Sequence, residues 1–161
     1  MYIEKSDFAE VPPPKFQRLK PDGEVRLMGA YIVRCNEVIK DGNGEIVEIR
    51  CTADLETGNG MPADGRKVKG TIHWVSAAHA VDADLYLYDN LLTIENANDL
   101  PEGKDYLDYL NPDSLKKLTG CKLEPALADA KAGERFQFVR MGYYVKDRES
   151  GRFNRIVTLK D

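Results

Sequence analysis

Two histidines, His73 and His79, stand six residues apart in HWVSAAHA, with Ser76 between them. On a strand, that even separation places both imidazoles on one face and Trp74 on the other. A metal centre would need a third ligand, and none stands at a workable spacing. Ser76 and His79 make a poor nucleophile and base, because a three-residue step along a strand turns the two side chains to opposite faces. Nor does a GxSxG elbow surround the serine. Asp105 and Asp108 lie in a polar, tyrosine-rich stretch with no sign of the pocket that would shift a carboxyl pKa for acid–base work. DGRKVKG (64–70) lacks the GxxxxGK[ST] spacing of a phosphate loop. Its Arg66, Lys67 and Lys69 either meet phosphates or solvate a hairpin. Cys35, Cys51 and Cys121 are odd in number, contain no CxxC, and read as packed free thiols rather than a disulfide or zinc framework. No catalytic, metal-binding or cofactor-binding residue is expected.

A different chemistry is better represented. Single-stranded RNA is read by bases stacked on aromatic or guanidinium planes, with donors and acceptors meeting the base edges. Lys15-Phe16-Gln17-Arg18 sets an aromatic ring beside an amide and a fork donor. Arg26 falls inside a strand-like segment whose backbone would hold its guanidinium in place. In Arg135-Phe136-Gln137-Phe138-Val139-Arg140, alternation sets Arg135, Gln137 and Val139 on one face against Phe136, Phe138 and Arg140. A glutamine amide on a rigid strand offers both a donor and an acceptor to one base edge. From the residues alone two readings stand. One is an all-β module that binds RNA, and the other is a protein-interaction or structural β module whose arginines only pack the surface.

The elements that must position these residues are mostly strands. Residues 23–40 alternate apolar and polar side chains, the turn cluster Asp41-Gly42-Asn43-Gly44 follows, and 45–55 resumes the alternation, which predicts a hairpin. Further strands are expected over 67–77, 83–94, 135–147 and 152–161, the last two joined by the polar turn RESG. Short helical turns are expected at Pro112–Leu118, where Asn111 could cap, and at Glu124–Ala130. Pro12-Pro13-Pro14 should stiffen the approach to Lys15 as polyproline II. A break near 77–83 divides the chain into two small β units, 1–76 and 77–161.

The whole chain has 161 residues and a formal net charge of −4, which argues against indiscriminate nucleic-acid binding. The charge is segregated, however. Residues 81–125 hold 4 basic and 10 acidic side chains, whereas 126–161 hold 8 basic and 5 acidic, so one basic face can sit on an acidic body. No apolar run is long enough for a membrane helix, and acidic residues interrupt the N-terminus before any signal-peptide core could form. A soluble, cytoplasmic protein is the expectation, with no membrane and no DNA among its partners.

The collinear pattern GEVRLMGAY…CTADL…PADGRKVKGTIHWVSAAHA…LYD…NPDSL…FQF…GYY…FNR…LKD resembles the C-terminal anticodon-binding region of glutaminyl-tRNA synthetases over essentially the whole chain. The anticodon-binding region of eukaryotic-type glutamyl-tRNA synthetases is the nearest alternative. The resemblance implies a pair of small β-barrels, of a kind also compared with a ribosomal protein fold, the first lacking its N-terminal strands. It implies that the barrels grip the anticodon loop of tRNA(Gln), while a separate Rossmann domain, absent here, uses ATP with magnesium to charge the tRNA with glutamine. Position by position, it implies that Arg18 meets the third anticodon base, Arg26 the first and Gln137 the central uridine, and that Arg140 approaches the tRNA. Lys15 stands where the family often has a glutamine, Gln17 where a lysine is common, and Met28 replaces an arginine. An upstream edge left unpaired would favour weak self-association.

Overall fold

A computed structural model describes residues 1–159 and divides the chain into two compact units, Met1–Ala78 and His79–Asp161. Regular structure is all β, apart from single turns of 3-10 helix at Lys5–Asp7, Tyr106–Tyr109 and Pro125–Asp129.

The first unit contains β1 (Tyr2–Ile3), β2 (Glu24–Leu27), β3 (Ile32–Lys40), β4 (Ile46–Asp54), β5 (Thr71–Ile72) and β6 (Trp74–Val75). Its main sheet has the order β4-β3-β2-β5, and β1 pairs separately with β6. Alternation along β2 sends Val25 and Leu27 inward, where they pack with Leu19, Val33, Cys35 and Ile72. Glu24 and Arg26 therefore face outward. The predicted hairpin around Asp41–Gly44 is β3–β4. Asp41 Oδ1 accepts the amides of Asn43 and Glu45, both at 2.9 Å, which fixes the turn. Cys35 and Cys51 are direct cross-strand partners in this hairpin. Burial raises both thiols, that of Cys51 to about 11, as expected for packing rather than reactive cysteines.

Two expected strands are broken. Residues 23–40 form two strands, because Gly29 at φ 69° closes a tight turn in which Leu27 donates to the carbonyl of Tyr31. Residues 67–77 give only β5 and β6, which pair with different partners, β2 and β1. The strand geometry that set His73 and His79 on one face is therefore absent.

The second unit contains β7 (Val81–Tyr88), β8 (Leu115–Leu123), β9 (Arg135–Phe138), β10 (Gly142–Lys146) and β11 (Phe153–Val157), in the order β8-β7-β11-β10-β9. Leu85, Leu123, Tyr144 and Phe153 form its buried centre, with Phe136 and Phe138 packed against it. Phe138 stacks on Tyr144 at 4.3 Å between ring centroids. Neither main sheet closes on itself among the described pairings. The all-β class holds, and the sheets are open.

Three further differences have local causes. The expected helical turn at Pro112–Leu118 is instead a turn running into β8, since Asn111 Oδ1 accepts the amide of Asp113 and Leu115–Leu118 pair with β7. The predicted strand over 83–94 ends at Tyr88, where Asp89 Oδ1 accepts the amide of Asn90. The segment 135–147 is a hairpin, not one strand, because Val139 and Arg140 occupy a turn closed by the Met141 amide on the Phe138 carbonyl at 2.8 Å. The expected strand over 152–161 is β11, and the last two of those positions lie outside the described residues.

Candidate nucleic-acid interface

In the first unit, the polar segment 15–18 is shaped by backbone constraints. Phe16 donates to the Pro13 carbonyl at 3.1 Å, and Lys15 takes φ 64°. This is a type II turn, with Pro14 supplying the fixed φ of its first central position. Lys15 is exposed at the apex, and Gln17 is exposed beyond it. The Gln17 backbone is pressed against Gly70, where a Cβ would lie 1.7 Å from the Gln17 carbonyl oxygen. Gly70 in turn accepts the Arg26 amide at 3.3 Å, so one glycine ties the 15–18 segment to β2.

Arg18 is anchored on one side only. Its Nη1 donates to the Ser6 carbonyl at 2.9 Å and lies 3.1 Å from Asp7 Oδ1. Its Nη2 and Nε have no partner among the described residues, which leaves a charged fork available to a base edge or phosphate. The Arg26 guanidinium is more committed. Nη1 donates to the Gly58 carbonyl at 3.1 Å and Nη2 to that of Gly60. Two of its five donors thus brace the 57–60 loop, and three remain.

Arg66 is fully engaged. It pairs with Asp54 at 2.6 Å, Asp64 at 2.7 Å and Glu24 at 3.0 Å. The Arg66 guanidinium holds the Asp54 carboxyl below its ordinary range, and the Arg66 amide and guanidinium do the same for Asp64. The sequence offered Arg66 either phosphate contact or solvation of a hairpin; in the structure its guanidinium instead locks the 55–66 loop onto the sheet.

In the second unit, Gln137 lies on the outer face of the edge strand β9, exposed beside Arg135, while Phe136 and Phe138 point inward. Directly opposite Gln137 on β10 is Tyr143, 43% exposed. Arg140 does not continue the face of the two phenylalanines. It sits at φ 70° in the hairpin turn, exposed. Asp7, Gly70 and Tyr143 belong to these sites and were not singled out by sequence reasoning. The strand register would have found Tyr143 once the break before Gly142 was known; Lys5-Ser6-Asp7 reads only as a polar surface.

A groove of about 740 Å³ beside β4 is lined by Ile3, Phe8, Leu19, Ile49 and Cys51, with no histidine. Among the described residues no group of three or more His, Cys, Asp or Glu could hold a metal ion, and no helix is long and apolar enough to cross a membrane.

Both units are open all-β sheets that present arginine or glutamine side chains outward, the donor and charge chemistry of a nucleic-acid-binding class of domain. Two models described as the anticodon-binding domain of class I tRNA synthetases (E and Q) match residues 1–54 and 71–147, and the chain belongs to that family. A glutamine–tRNA ligase of Ectopseudomonas mendocina is 53% identical over the whole of this chain, which spans 30% of that protein. Those of Xanthomonas campestris and Pseudomonas syringae are 53% and 48% identical, with 28% and 29% of their lengths spanned. The chain thus covers less than a third of these curated relatives.

Proposed function

We propose that the chain is the anticodon-reading part of a glutamine–tRNA ligase and binds the anticodon loop of tRNA(Gln). The observation that carries this reading is identity of about half over the full chain to ligases of that name. The exposed, rigidly mounted Arg18 and Gln137 supply chemistry suited to it. Arg18 offers a planar, permanently charged fork to the third base, and Arg26 its remaining donors to the first. The Gln137 amide pairs with the central uridine, and a wrong base leaves that amide unpaired. Lys15, Gln17 and Arg140 add positive charge or hydrogen bonding near the same loop.

Ligation itself belongs to a catalytic domain outside this chain. ATP with magnesium would bind there as well. The cytoplasm is the corresponding site of action.

Titrating the chain with tRNA anticodon stem-loops tests the reading. Tighter binding to a CUG loop than to loops changed at the central or third base is expected. Preference for a loop ending in C would instead favour the glutamate-type alternative. Equal binding to all loops would overturn anticodon reading.

A further inference from the structure

One row of cross-strand partners runs across the whole outer face of the five-stranded sheet. Lys117 on β8 opposes Tyr86 on β7, Tyr86 opposes Asn154 on β11, Asn154 opposes Val145 on β10, and Val145 opposes Arg135 on β9. Two positions along from Val145 and Arg135, Tyr143 and Gln137 form the neighbouring pair on the same face. Four inter-strand spacings make this row about 19 Å long. That length exceeds what one base occupies and suits a strand of several nucleotides.

The chemistry along the row is uneven in a useful way. Tyr86 is flanked by two cations, with Lys117 Nζ 5.3 Å and the Arg152 guanidinium 4.5 Å from its ring centre. Lys117 has no carboxylate partner among the described residues. Arg152 is paired with Asp147 at 3.2 Å, so it contributes hydrogen-bond donors more than net charge. At the other end of the row, Arg135 and Gln137 are exposed, and Tyr143 carries an open aromatic surface beside the Gln137 amide. Three acidic groups lie on or beside this face, and each is occupied: Asp82 by Lys122 and Asp84 by the Gly120 amide toward the start of β7, and Asp147, next to the middle of the row, by Arg152 and the Asn154 side-chain amide. Cations at both ends and the exposed Tyr143 ring complement a polyanion with a stackable base, while the half-buried Tyr86 ring holds Lys117 and Arg152 in place.

We infer that the outer face of this sheet is a track for one RNA strand, on which Tyr143 stacks the base read by Gln137 while Lys117 and Arg135 contact phosphates of the same strand. The inference rests on the anticodon-reading proposal and extends it to residues that Gln137 alone does not implicate. Tyrosine at position 143 is then a specificity-supporting platform, and Lys117 a distant electrostatic anchor.

The test is binding of the full chain to the CUG stem-loop across a salt series. Lys117→Ala and Arg135→Ala should weaken CUG and mismatched loops by the same factor. Each should also lower the slope of log affinity against log salt by about one. Tyr143→Ala should weaken the CUG loop about tenfold or more, and Tyr143→Phe should retain binding, since the ring face supplies the stacking. Backbone amide NMR shifts of the unmodified chain provide a check that needs no variant: addition of the loop should move Lys117, Tyr86, Val145, Tyr143 and Gln137 together. Loop discrimination that depends on Gln137, with unchanged salt slopes in both charge variants and no shifts at Lys117 and Tyr86, would overturn the track and leave anticodon reading intact. Absence of binding to any loop would overturn both.

Discussion

Arg18 Nη1 lies 3.1 Å from Asp7 Oδ1, and the carboxylate is wholly shut from solvent while the arginine side chain keeps 38% of its surface exposed. A buried acid thus orients an arginine whose other edge faces outward. Asp7 also accepts the Leu19 amide through its carbonyl at 3.0 Å, so the pair fixes the backbone that follows Arg18 as well. The geometry separates two edges of one side chain: one pairs with Asp7, and the other faces outward, where the proposed reading has it meet RNA.

Substitution resolves these roles. Arg18→Ala removes the guanidinium that lies 3.1 Å from the buried carboxylate and should cost about 1–3 kcal/mol of stability. Arg18→Lys keeps a positive charge beside Asp7 and should unfold close to the parent, yet it loses the planar donor pair. Its affinity for a CUG stem-loop should fall roughly five- to tenfold, within the range of one lost fork contact. Thermal denaturation and loop titration on both variants check this. A Lys variant with full affinity would assign Arg18 to structure alone.

Gly70 makes the second prediction. It combines φ 88° with a position where any Cβ would strike the Gln17 carbonyl oxygen. Gly70→Ala must therefore displace the 15–18 segment or strain β2, with a loss of at least about 1–2 kcal/mol. Gly103, also at positive φ, has nothing within 4 Å of its Cβ position, so Gly103→Ala isolates the dihedral cost. The melting temperature of the Gly70 variant should fall clearly below that of the Gly103 variant.

Acid should loosen the first unit through the Arg66 cluster. Asp54 and Asp64 are both held below the ordinary carboxylate range by Arg66. Depressed folded-state values mean that their stabilisation is complete above the unfolded pKa, about 4, and is lost as pH falls through the lower folded values. Stability of the parent should thus drop as pH falls below about 4. In Arg66→Met that slope should flatten, because three carboxylates then share a site without a cation. Denaturant unfolding at a series of pH values reads the difference; equal slopes would show that the cluster is energetically idle.

How much of this was legible follows the local signals. Asp41-Gly42-Asn43-Gly44 announces its hairpin because the aspartate and glycines have few other uses in such a row. The turn at Met28–Tyr31 does not, since one glycine is embedded in the apolar run Leu27-Met28-Gly29-Ala30-Tyr31. The turn at Val139–Met141 is harder still: an arginine, not a glycine or asparagine, takes the left-handed position, so the alternating run reads as one strand over 135–147. Leu115 and Leu118 mimic helical spacing, although the sheet uses them as cross-strand partners of Tyr88 and Leu85. Arg18, Arg26 and Gln137 stood out through side-chain chemistry. Asp7 and Tyr143 did not, because their parts depend on burial and on register, which only the folded chain displays.

The most direct test of anticodon reading is a two-by-two comparison: parent and Gln137→Ala, each titrated with a CUG stem-loop and with one whose central U is changed to C. Gln137 is exposed on an edge strand, so the variant should fold like the parent. The account predicts that the parent prefers the CUG loop by about five- to a hundredfold, and that the substitution removes most of this preference while leaving binding to the changed loop nearly unaltered. A preference that persists unchanged in Gln137→Ala, or a parent that binds both loops equally, would contradict it.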